Sequence, residues 1–288
     1  MKKWAILLLS IVAIIAISHL LITSSEINIE PLASPKLAEI EDWEEMTLSQ
    51  SEISKGDLLL VNHEHPISEL ALPENVINLY DQNQFDLNFG LMNTDLWLPE
   101  RMVLPFIEMI EEANSVGIHD FLMTSGFRGF ASQEQLYEEK GSEFALPAGY
   151  SEHHLGLALD VGSKNGLMSE ATEGKWLAKN AWKHGFILRY PEHKTDITGI
   201  SYEPWHFRYV GLPHSAIMYE HDLVLEEYIE YVSGYQEGLL VTVNAKDYLI
   251  LYYSLDTDEK QIHVPVNYPY EISGTNVEGI IVTIDLNV

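Results

Sequence analysis

The sequence contains no cysteine, and this absence removes several kinds of chemistry at once. Without thiols the chain cannot form disulfide bonds, use a cysteine nucleophile, bind a metal through thiolates or carry a lipid on a cysteine. Any metal site in this protein must therefore be built from imidazole and carboxylate ligands.

Basic residues are also scarce. The chain has 16 Lys and Arg against 44 Asp and Glu, a formal net charge of -28, and only four of the basic residues are arginines. A polyanion would be repelled unless a strong local basic patch opposed the overall charge, so nucleic acid is excluded as a partner. Apolar residues are not scarce, because 46% hydrophobic content is enough to bury a sizeable core.

The N-terminus carries a long apolar run, Trp4–Ile22, which directly follows Lys3. A membrane-spanning helix needs about 20 such residues, whereas a cleaved signal peptide has an apolar core of about 7 to 15. The best small-residue cleavage site, at 16–18, lies inside the run. The sequence therefore predicts an uncleaved transmembrane anchor over 1–23. Since the next basic residue is Lys36, the positive-inside rule predicts a single-pass cell-membrane protein whose remainder is extracytoplasmic.

The rest of the chain divides into three predicted regions. Residues 24–55 are acidic and contain two prolines, which indicates an extracytoplasmic tether. Residues 56–232 mix helical and strand patterns and are predicted to form the catalytic domain. Residues 233–288 contain the runs "GLLVTV", "YLILYYS" and "GIIVTIDL" between turn residues, which predicts a small β-rich module.

Within the central region, "GDLLLVN" at 56–62 predicts a strand, and "ERMVLPFIEMIEEANSVG" at 100–117 has apolar residues at helical spacing. The run "HDFLMTSGFRGF" predicts a second strand that ends at a Ser-Gly turn. Helices and strands are mixed without a regular alternation, so the expected fold class is α+β.

Two clusters contain the residues that bind metals and move protons. "SEHHLGLALDVG" holds His153, His154 and Asp160, and "EPWH" holds Glu203 and His206. Catalytic zinc typically takes three protein ligands and leaves one position open. One of the adjacent histidines, with Asp160 and His206, would supply that set, because neighbours in extended chain point to opposite sides. Glu203 would remain free to act as a base.

The same segments resemble the VanY-type D-alanyl-D-alanine carboxypeptidases, which are zinc peptidases of the D-Ala-D-Ala/Hedgehog fold. "SEHHLGLALDVG" is similar to their Ser-x-His-(x)6-Asp motif, "EPWHFRYVG" to their Glu-Pro-Trp-His segment and "SGFR" to their characteristic turn. The resemblance runs from about Gly56 to the C-terminus. It implies an antiparallel sheet with flanking helices, followed by the β module.

For the metal, the resemblance implies one Zn²⁺ ion bound by His153, Asp160 and His206. Glu203 matches the family's catalytic base, which takes a proton from water and passes it to the leaving amine. His154 stands at a free position of the motif, so it is expected to be a neighbour of the site and not a ligand.

For the substrate, the resemblance implies that Arg128 contacts the substrate or the developing oxyanion, and that Gln133 and Ser151 lie near it. A guanidinium suits this role because it binds a carboxylate through two parallel hydrogen bonds. Arg189 and Arg208 flank the motifs and are expected to form structural ion pairs.

The implied function is removal of the C-terminal D-Ala from the pentapeptide stems of cell-wall precursors, which reduces the targets of glycopeptide antibiotics.

A serine carboxypeptidase is disfavoured because no Ser-x-x-Lys is suitably placed and "GYSEH" lacks the second glycine of Gly-x-Ser-x-Gly. Penicillin should therefore not inhibit this enzyme. A dipeptidase acting on free D-Ala-D-Ala remains an alternative, although its cytoplasmic substrate conflicts with the predicted anchor. A non-catalytic, zinc-containing wall-binding protein is another, but a structural zinc site is usually closed by a fourth ligand.

Overall fold

The computed structural model describes residues 27–32, 40, 42–141 and 146–287. The predicted N-terminal anchor lies outside these residues. Within the described ranges, no helix combines the length and the apolar character needed to cross a membrane.

Strands and helices alternate irregularly along the described chain, as expected for an α+β protein. The strands are β1 (Ile27–Pro31), β2 (Trp43–Ser49), β3 (Val76–Asn78), β4 (Gly90–Leu91), β5 (Trp97–Pro99), β6 (Phe121–Ser125), β7 (Ala158–Ser163), β8 (Phe186–Leu188), β9 (His206–Tyr209), β10 (Leu239–Val243), β11 (Lys246–Ser254), β12 (Glu259–Pro265), β13 (Tyr270–Gly274) and β14 (Gly279–Asp285). The α-helices are α1 (Glu100–Ser115), α2 (Phe130–Lys140), α3 (Thr172–Asn180), α4 (Thr195–Thr198), α5 (His214–Glu220) and α6 (Leu225–Ser233).

The central sheet has the order β4-β6-β7-β9-β8. Its pairs are antiparallel except for β4 with β6, which is parallel. Helix α1 packs on this sheet, because its apolar residues recur at helical spacing and bury Met102, Phe106, Met109 and Ala113 in one core with strand residues such as Val161. The helix predicted at 100–117 and the strand predicted before the Ser-Gly turn are both confirmed.

The C-terminal module is a five-stranded antiparallel sheet of order β1-β10-β11-β14-β13, with the pair β2-β12 beside it. Its β-rich character is as the sequence predicts. Residues 27–31 and 43–49 belong to this module, so they are not part of a free tether. Acidic residues and prolines are typical of a linker, but Ile27 and Ile29 alternate with polar residues, and this period of two is a strand pattern.

Residues 56–62 do not form the predicted strand. They form an irregular segment whose middle, 58–61, is buried: Leu59 and Val61 enter the core of the central sheet, and Leu58 and Leu60 enter a second core. Its backbone bonds are irregular: the Leu58 N–H donates to Ser273 Oγ, and the Leu60 N–H donates to the Thr275 carbonyl. The apolar run therefore reflects burial on both sides, and no strand in the described part of the chain pairs with it.

The module and the central region share this second core. Ile217 of α5 and Tyr228 of α6 pack in it with Val241 of β10 and Ile281 of β14. Because the packing is continuous, the module helps to hold α5, α6 and the 56–62 segment in place behind the central sheet.

Candidate metal centre

Asp160 and His206 are direct partners on the neighbouring antiparallel strands β7 and β9. Opposed residues in such a pair have neighbouring side chains on the same face of the sheet. His206 Nδ1 lies 3.2 Å from Asp160 Oδ1. This contact lacks hydrogen-bond geometry, and in the described part of the chain Asp160 Oδ1 is a buried atom without a hydrogen-bond partner.

His153 reaches the same point from a short turn before β7. The turn, Glu152–Leu155, ends at Gly156, which has a φ of 65°, and a Cβ on this glycine would lie 2.3 Å from Pro99 Cγ. The positive φ and the lack of space for a side chain therefore require glycine at this bend. His153 Nδ1 lies 2.7 Å from the Gly126 carbonyl, and its Nε2 lies 3.5 Å from Asp160 Oδ2.

These three residues form a group that fits a divalent metal. One donor atom from each of His153, Asp160 and His206 lies within 4.8 Å of the others. Ligand distances of about 2.0–2.2 Å in a tetrahedral zinc site would separate the donor atoms by about 3.3–3.6 Å. The two contacts to the Asp160 carboxylate, 3.2 Å from His206 to Oδ1 and 3.5 Å from His153 to Oδ2, are close to that spacing and end on different oxygens. The unpaired Asp160 Oδ1 is the atom that such an ion would satisfy.

Charges at the centre favour a bound cation. Burial disfavours the charged form of Asp160, but His153 and His206 outweigh it and hold the pKa of Asp160 well below its usual range. Burial also opposes a charged His206, yet the neighbouring carboxylates of Asp160 and Glu152 raise its pKa to about 9. A histidine binds a metal only as the neutral imidazole. A bound cation would therefore replace the extra proton that the two carboxylates favour on His206.

Glu203 lies next to the three residues without joining them. Its Oε2 is 3.5 Å from His206 Nδ1, and 23% of its side chain is exposed. The Glu203 N–H donates to the Tyr190 carbonyl, and the His206 N–H donates to the Glu203 carbonyl, which fixes the loop before β9. Burial and the nearby charge of Asp160 raise the pKa of Glu203, while His206 opposes them. A raised pKa suits a carboxylate that must both accept and return a proton.

Arg128 is held beside the centre by two side chains. Its Nη1 donates to Gln133 Oε1 at 2.7 Å and its Nη2 donates to Ser125 Oγ at 2.8 Å, while the buried Gln133 donates in turn to the Leu146 carbonyl. The Arg128 N–H donates to the His153 carbonyl, which joins the Ser-Gly turn to the turn that carries the histidine.

Both predicted substrate-side residues line the same cleft as the centre. The cleft has a volume of about 600 Å³ and contains Gln133 and Ser151, together with Arg128 and Glu203. The Ser151 hydroxyl accepts from the His153 N–H, so it also supports the turn. Trp205 lies at the edge of the cleft with 41% of its surface exposed.

His154 is directed away from the centre. Its Nδ1 lies 2.6 Å from the Arg128 carbonyl, and its Nε2 accepts from the Gly149 N–H at 3.1 Å. Its ring stacks on Phe130 with centroids 4.3 Å apart. Both ring nitrogens are engaged, so the structure brings His153, and not His154, to the other two residues.

Sequence reasoning missed Glu152, which is fully buried behind His206. Glu152 Oε1 accepts from Arg189 Nε at 2.8 Å and from Arg208 Nη1 at 2.9 Å, so both arginines form ion pairs as expected. Burial alone would raise the pKa of Glu152, but the two guanidinium groups hold it well below its usual range. Its place between the motif serine and His153 was the available signal, yet the sequence does not reveal which carboxylates are buried.

Comparisons with known proteins point in one direction. A family model described as VanY, D-alanyl-D-alanine carboxypeptidase, matches residues 95–212. The D-alanyl-D-alanine carboxypeptidase of Enterococcus faecium is 47% identical over 244 residues, which cover 85% of this chain and 80% of the relative. The bifunctional D-Ala-D-Ala dipeptidase and D-Ala-D-Ala carboxypeptidase VanXYC of Enterococcus gallinarum is 34% identical over 193 residues, covering 61% and 95%.

Solved structures agree with the sequence relatives. The vancomycin-resistance D,D-dipeptidase VanXYg, in complex with a D-Ala-D-Ala phosphinate analogue, matches with a TM-score of 0.74 at 30% identity over 85% of this chain and 99% of that one. A mutant of the vancomycin-resistance D,D-pentapeptidase VanY from a VanB-type cassette, in complex with Zn(II), matches with a TM-score of 0.51 at 30% identity over 60% and 98%. With this fold, this cleft and these relatives, the chain belongs to the VanY family of D-alanyl-D-alanine carboxypeptidases.

Proposed function

We propose that this protein is a zinc-dependent carboxypeptidase that removes the C-terminal D-Ala from peptidoglycan stem pentapeptides. The observation that carries the proposal is the convergence of His153, Asp160 and His206 around an unpaired carboxylate oxygen, with Glu203 beside them. Three ligands and a separate carboxylate are what a hydrolytic zinc site needs.

The ligand set suits zinc, which binds imidazole and carboxylate in tetrahedral sites. A zinc ion bound there would polarise the peptide carbonyl and lower the pKa of a bound water to about 7. Glu203 would accept the proton of the attacking water and deliver it to the departing D-Ala amine. Its raised pKa supports both steps.

Arg128 would recognise the end of the peptide. Gln133 and Ser125 each accept one hydrogen bond, from a different terminal nitrogen of the guanidinium. Each terminal nitrogen carries a second hydrogen, so both remain able to donate to a free carboxylate or to a developing oxyanion. Since the protein is strongly acidic, a fixed cation in the cleft is also what would draw an anionic peptide end into it.

Stem peptides that end in D-Ala-D-Ala are the proposed substrate, because the relatives are described by action on that dipeptide end. Trimming these ends would remove the targets of glycopeptide antibiotics. The proposal includes the N-terminal anchor predicted from Trp4–Ile22, which would place the enzyme outside the cell membrane beside its substrate.

Hydrolysis of free D-Ala-D-Ala is the second candidate. It is favoured by the match to VanXYg, a D,D-dipeptidase that covers 85% of this chain. Against it stands the predicted N-terminal anchor, because free D-Ala-D-Ala is a cytoplasmic substrate and the anchor would place the enzyme outside.

The test is a comparison of substrates. The protein would be incubated with a stem pentapeptide, its D-Ala-D-lactate analogue and free D-Ala-D-Ala, with and without a chelator, and released D-Ala would be measured. The proposal expects chelator-sensitive release from the pentapeptide. Release from the free dipeptide alone would establish the second candidate, and no release from any substrate would favour a wall-binding protein.

A further inference from the structure

The two ring nitrogens of His206 face different partners. Nδ1 lies 3.2 Å from Asp160 Oδ1 and 3.5 Å from Glu203 Oε2, on the cleft side. Nε2 lies 3.3 Å from Glu152 Oε2, on the buried side. An imidazole that binds a metal through one nitrogen usually donates its other N–H to an outer partner, which fixes the tautomer and the ring orientation. Glu152 occupies the place of that partner.

Glu152 is itself fixed on its other oxygen. Oε1 accepts from Arg189 Nε and from Arg208 Nη1, and all three side chains have no exposed surface. Oε2 is left for His206. Two guanidinium groups on one oxygen therefore determine which way the second oxygen points.

The two arginines are anchored in turn to other parts of the fold. Arg189 donates from both terminal nitrogens to Glu226 of α6, each at 2.8 Å. Arg208 Nη2 donates to the carbonyls of Asp57 at 2.9 Å and Leu59 at 3.1 Å, in the buried segment that is bonded to the β module. The position of Glu152 thus depends on packing that extends well beyond the cleft.

We propose that Glu152 is a positioning residue: it accepts the Nε2–H of His206 and so directs Nδ1 toward the metal, while Arg189 and Arg208 hold the carboxylate in place. The inference rests on the proposed metal site. Only a carboxylate meets all three contacts, because each of its oxygens accepts. A glutamine amide in the same place would present its NH₂ group either to the two arginines or to the His206 N–H, and both orientations oppose donor to donor.

The test compares zinc binding in two matched variants of the full chain. E152Q removes the proposed acceptor, and E173Q changes another carboxylate with almost no exposed surface, which lies in α3 and bonds to Asn165 and Thr172 away from the centre. Zinc affinity would be measured by competition with a chromophoric chelator, and folding by circular dichroism. We expect the dissociation constant to rise about 10- to 100-fold in E152Q and to stay at the wild-type value in E173Q. The visible spectrum of the Co²⁺-loaded E152Q chain should also change, because the ligand geometry is altered.

A second measurement needs no variant. In the ¹⁵N-histidine-labelled, zinc-loaded wild-type chain, nuclear magnetic resonance should show His206 with a proton on Nε2 and the metal on Nδ1. A folded E152Q that binds zinc as tightly as E173Q, or a His206 that carries no proton on Nε2, would overturn the inference while leaving the proposed function intact. A wild-type chain that binds no zinc would overturn both.

Discussion

Asp160 and His206 face each other across strands β7 and β9, with His206 Nδ1 only 3.2 Å from a carboxylate oxygen that no described residue hydrogen-bonds. Strand pairing fixes the distance between these two residues, since a slip of one residue would send one side chain to the other face of the sheet. The third residue, His153, approaches from a turn that depends on Gly156. The group is therefore built into the sheet, and its three side chains would need little rearrangement to hold an ion.

The adjacent histidines should differ sharply when each is replaced by alanine. His153→Ala removes a proposed ligand, so zinc content after dialysis and D-Ala release should both be lost. His154→Ala should keep the metal, because the His154 nitrogens bond to the backbone of Arg128 and Gly149. Metal analysis of the two purified variants makes the comparison. Loss of zinc from His154→Ala with retention in His153→Ala would reverse the assignment.

Glu203→Gln should separate metal binding from turnover. The amide is close in size to the carboxylate and cannot take a proton from water, so kcat should fall by about 10²- to 10⁴-fold. Zinc should remain bound at one ion per chain. Single-turnover assays with pentapeptide, run beside metal analysis, measure both quantities, and full turnover by a zinc-loaded Glu203→Gln chain would refute the assignment of the base.

Arg128→Lys should weaken recognition of the peptide end. Lysine keeps the positive charge but lacks the planar guanidinium. It therefore cannot contact Gln133 and Ser125 while also offering two N–H groups to a carboxylate. Loss of a charged hydrogen bond costs about 1.5–3 kcal/mol, so kcat/KM should fall by about 10- to 100-fold. Arg101→Lys is the matched control, because Arg101 pairs with Asp57 outside the cleft. Equal effects of the two changes would show that Arg128 has no special role.

Stability should depend on His214, which lies outside the cleft. This buried ring lies between Tyr228 and Thr283, and burial lowers its pKa to about 3. The folded state therefore keeps His214 neutral, while the unfolded chain protonates it below about pH 6.5. The stabilisation is complete above that pH and is lost as the pH falls toward 3. From pH 7 to 5 the loss from this residue should be about 2 kcal/mol.

Urea unfolding of the metal-free chain at those two pH values measures this loss. His214→Gln provides the control, since glutamine does not titrate. The variant should have a lower free energy of unfolding than the wild type at pH 7. Between pH 7 and pH 5, however, its free energy of unfolding should fall by about 2 kcal/mol less than that of the wild type. An unchanged pH dependence would show that His214 is not the group responsible.

The grouping of His153, Asp160 and His206 was predictable because the chemistry of a metal site imposes a local pattern. The sequence shows an aspartate within the apolar run "GLALDV", a histidine before it and a Glu-x-x-His segment downstream. The family resemblance then favours His153 over His154. Glu152 was not predictable in the same way. Its role depends on Arg189 and Arg208, which are distant in sequence and reach it only through the folded sheet.

Two fold predictions failed for a related reason. Residues 27–31 have the composition of a linker, but they pair in register with β10. Residues 56–62 have the composition of a strand, but no strand among the described residues pairs with them. In both segments the backbone pairing depends on a partner more than 200 residues away in the chain, such as Thr275 for Leu60. Local patterns describe a segment's own preference and carry no information about such a partner.

The most direct test of the whole account is a zinc titration of D-Ala release. The chain would be stripped of metal with a chelator, supplied with stem pentapeptide and penicillin, and given zinc in steps below and above one equivalent. The account predicts no release from the stripped chain and a linear return of activity that levels off at one zinc per chain, unaffected by penicillin. Full turnover by the stripped chain, or its inhibition by penicillin, would contradict it.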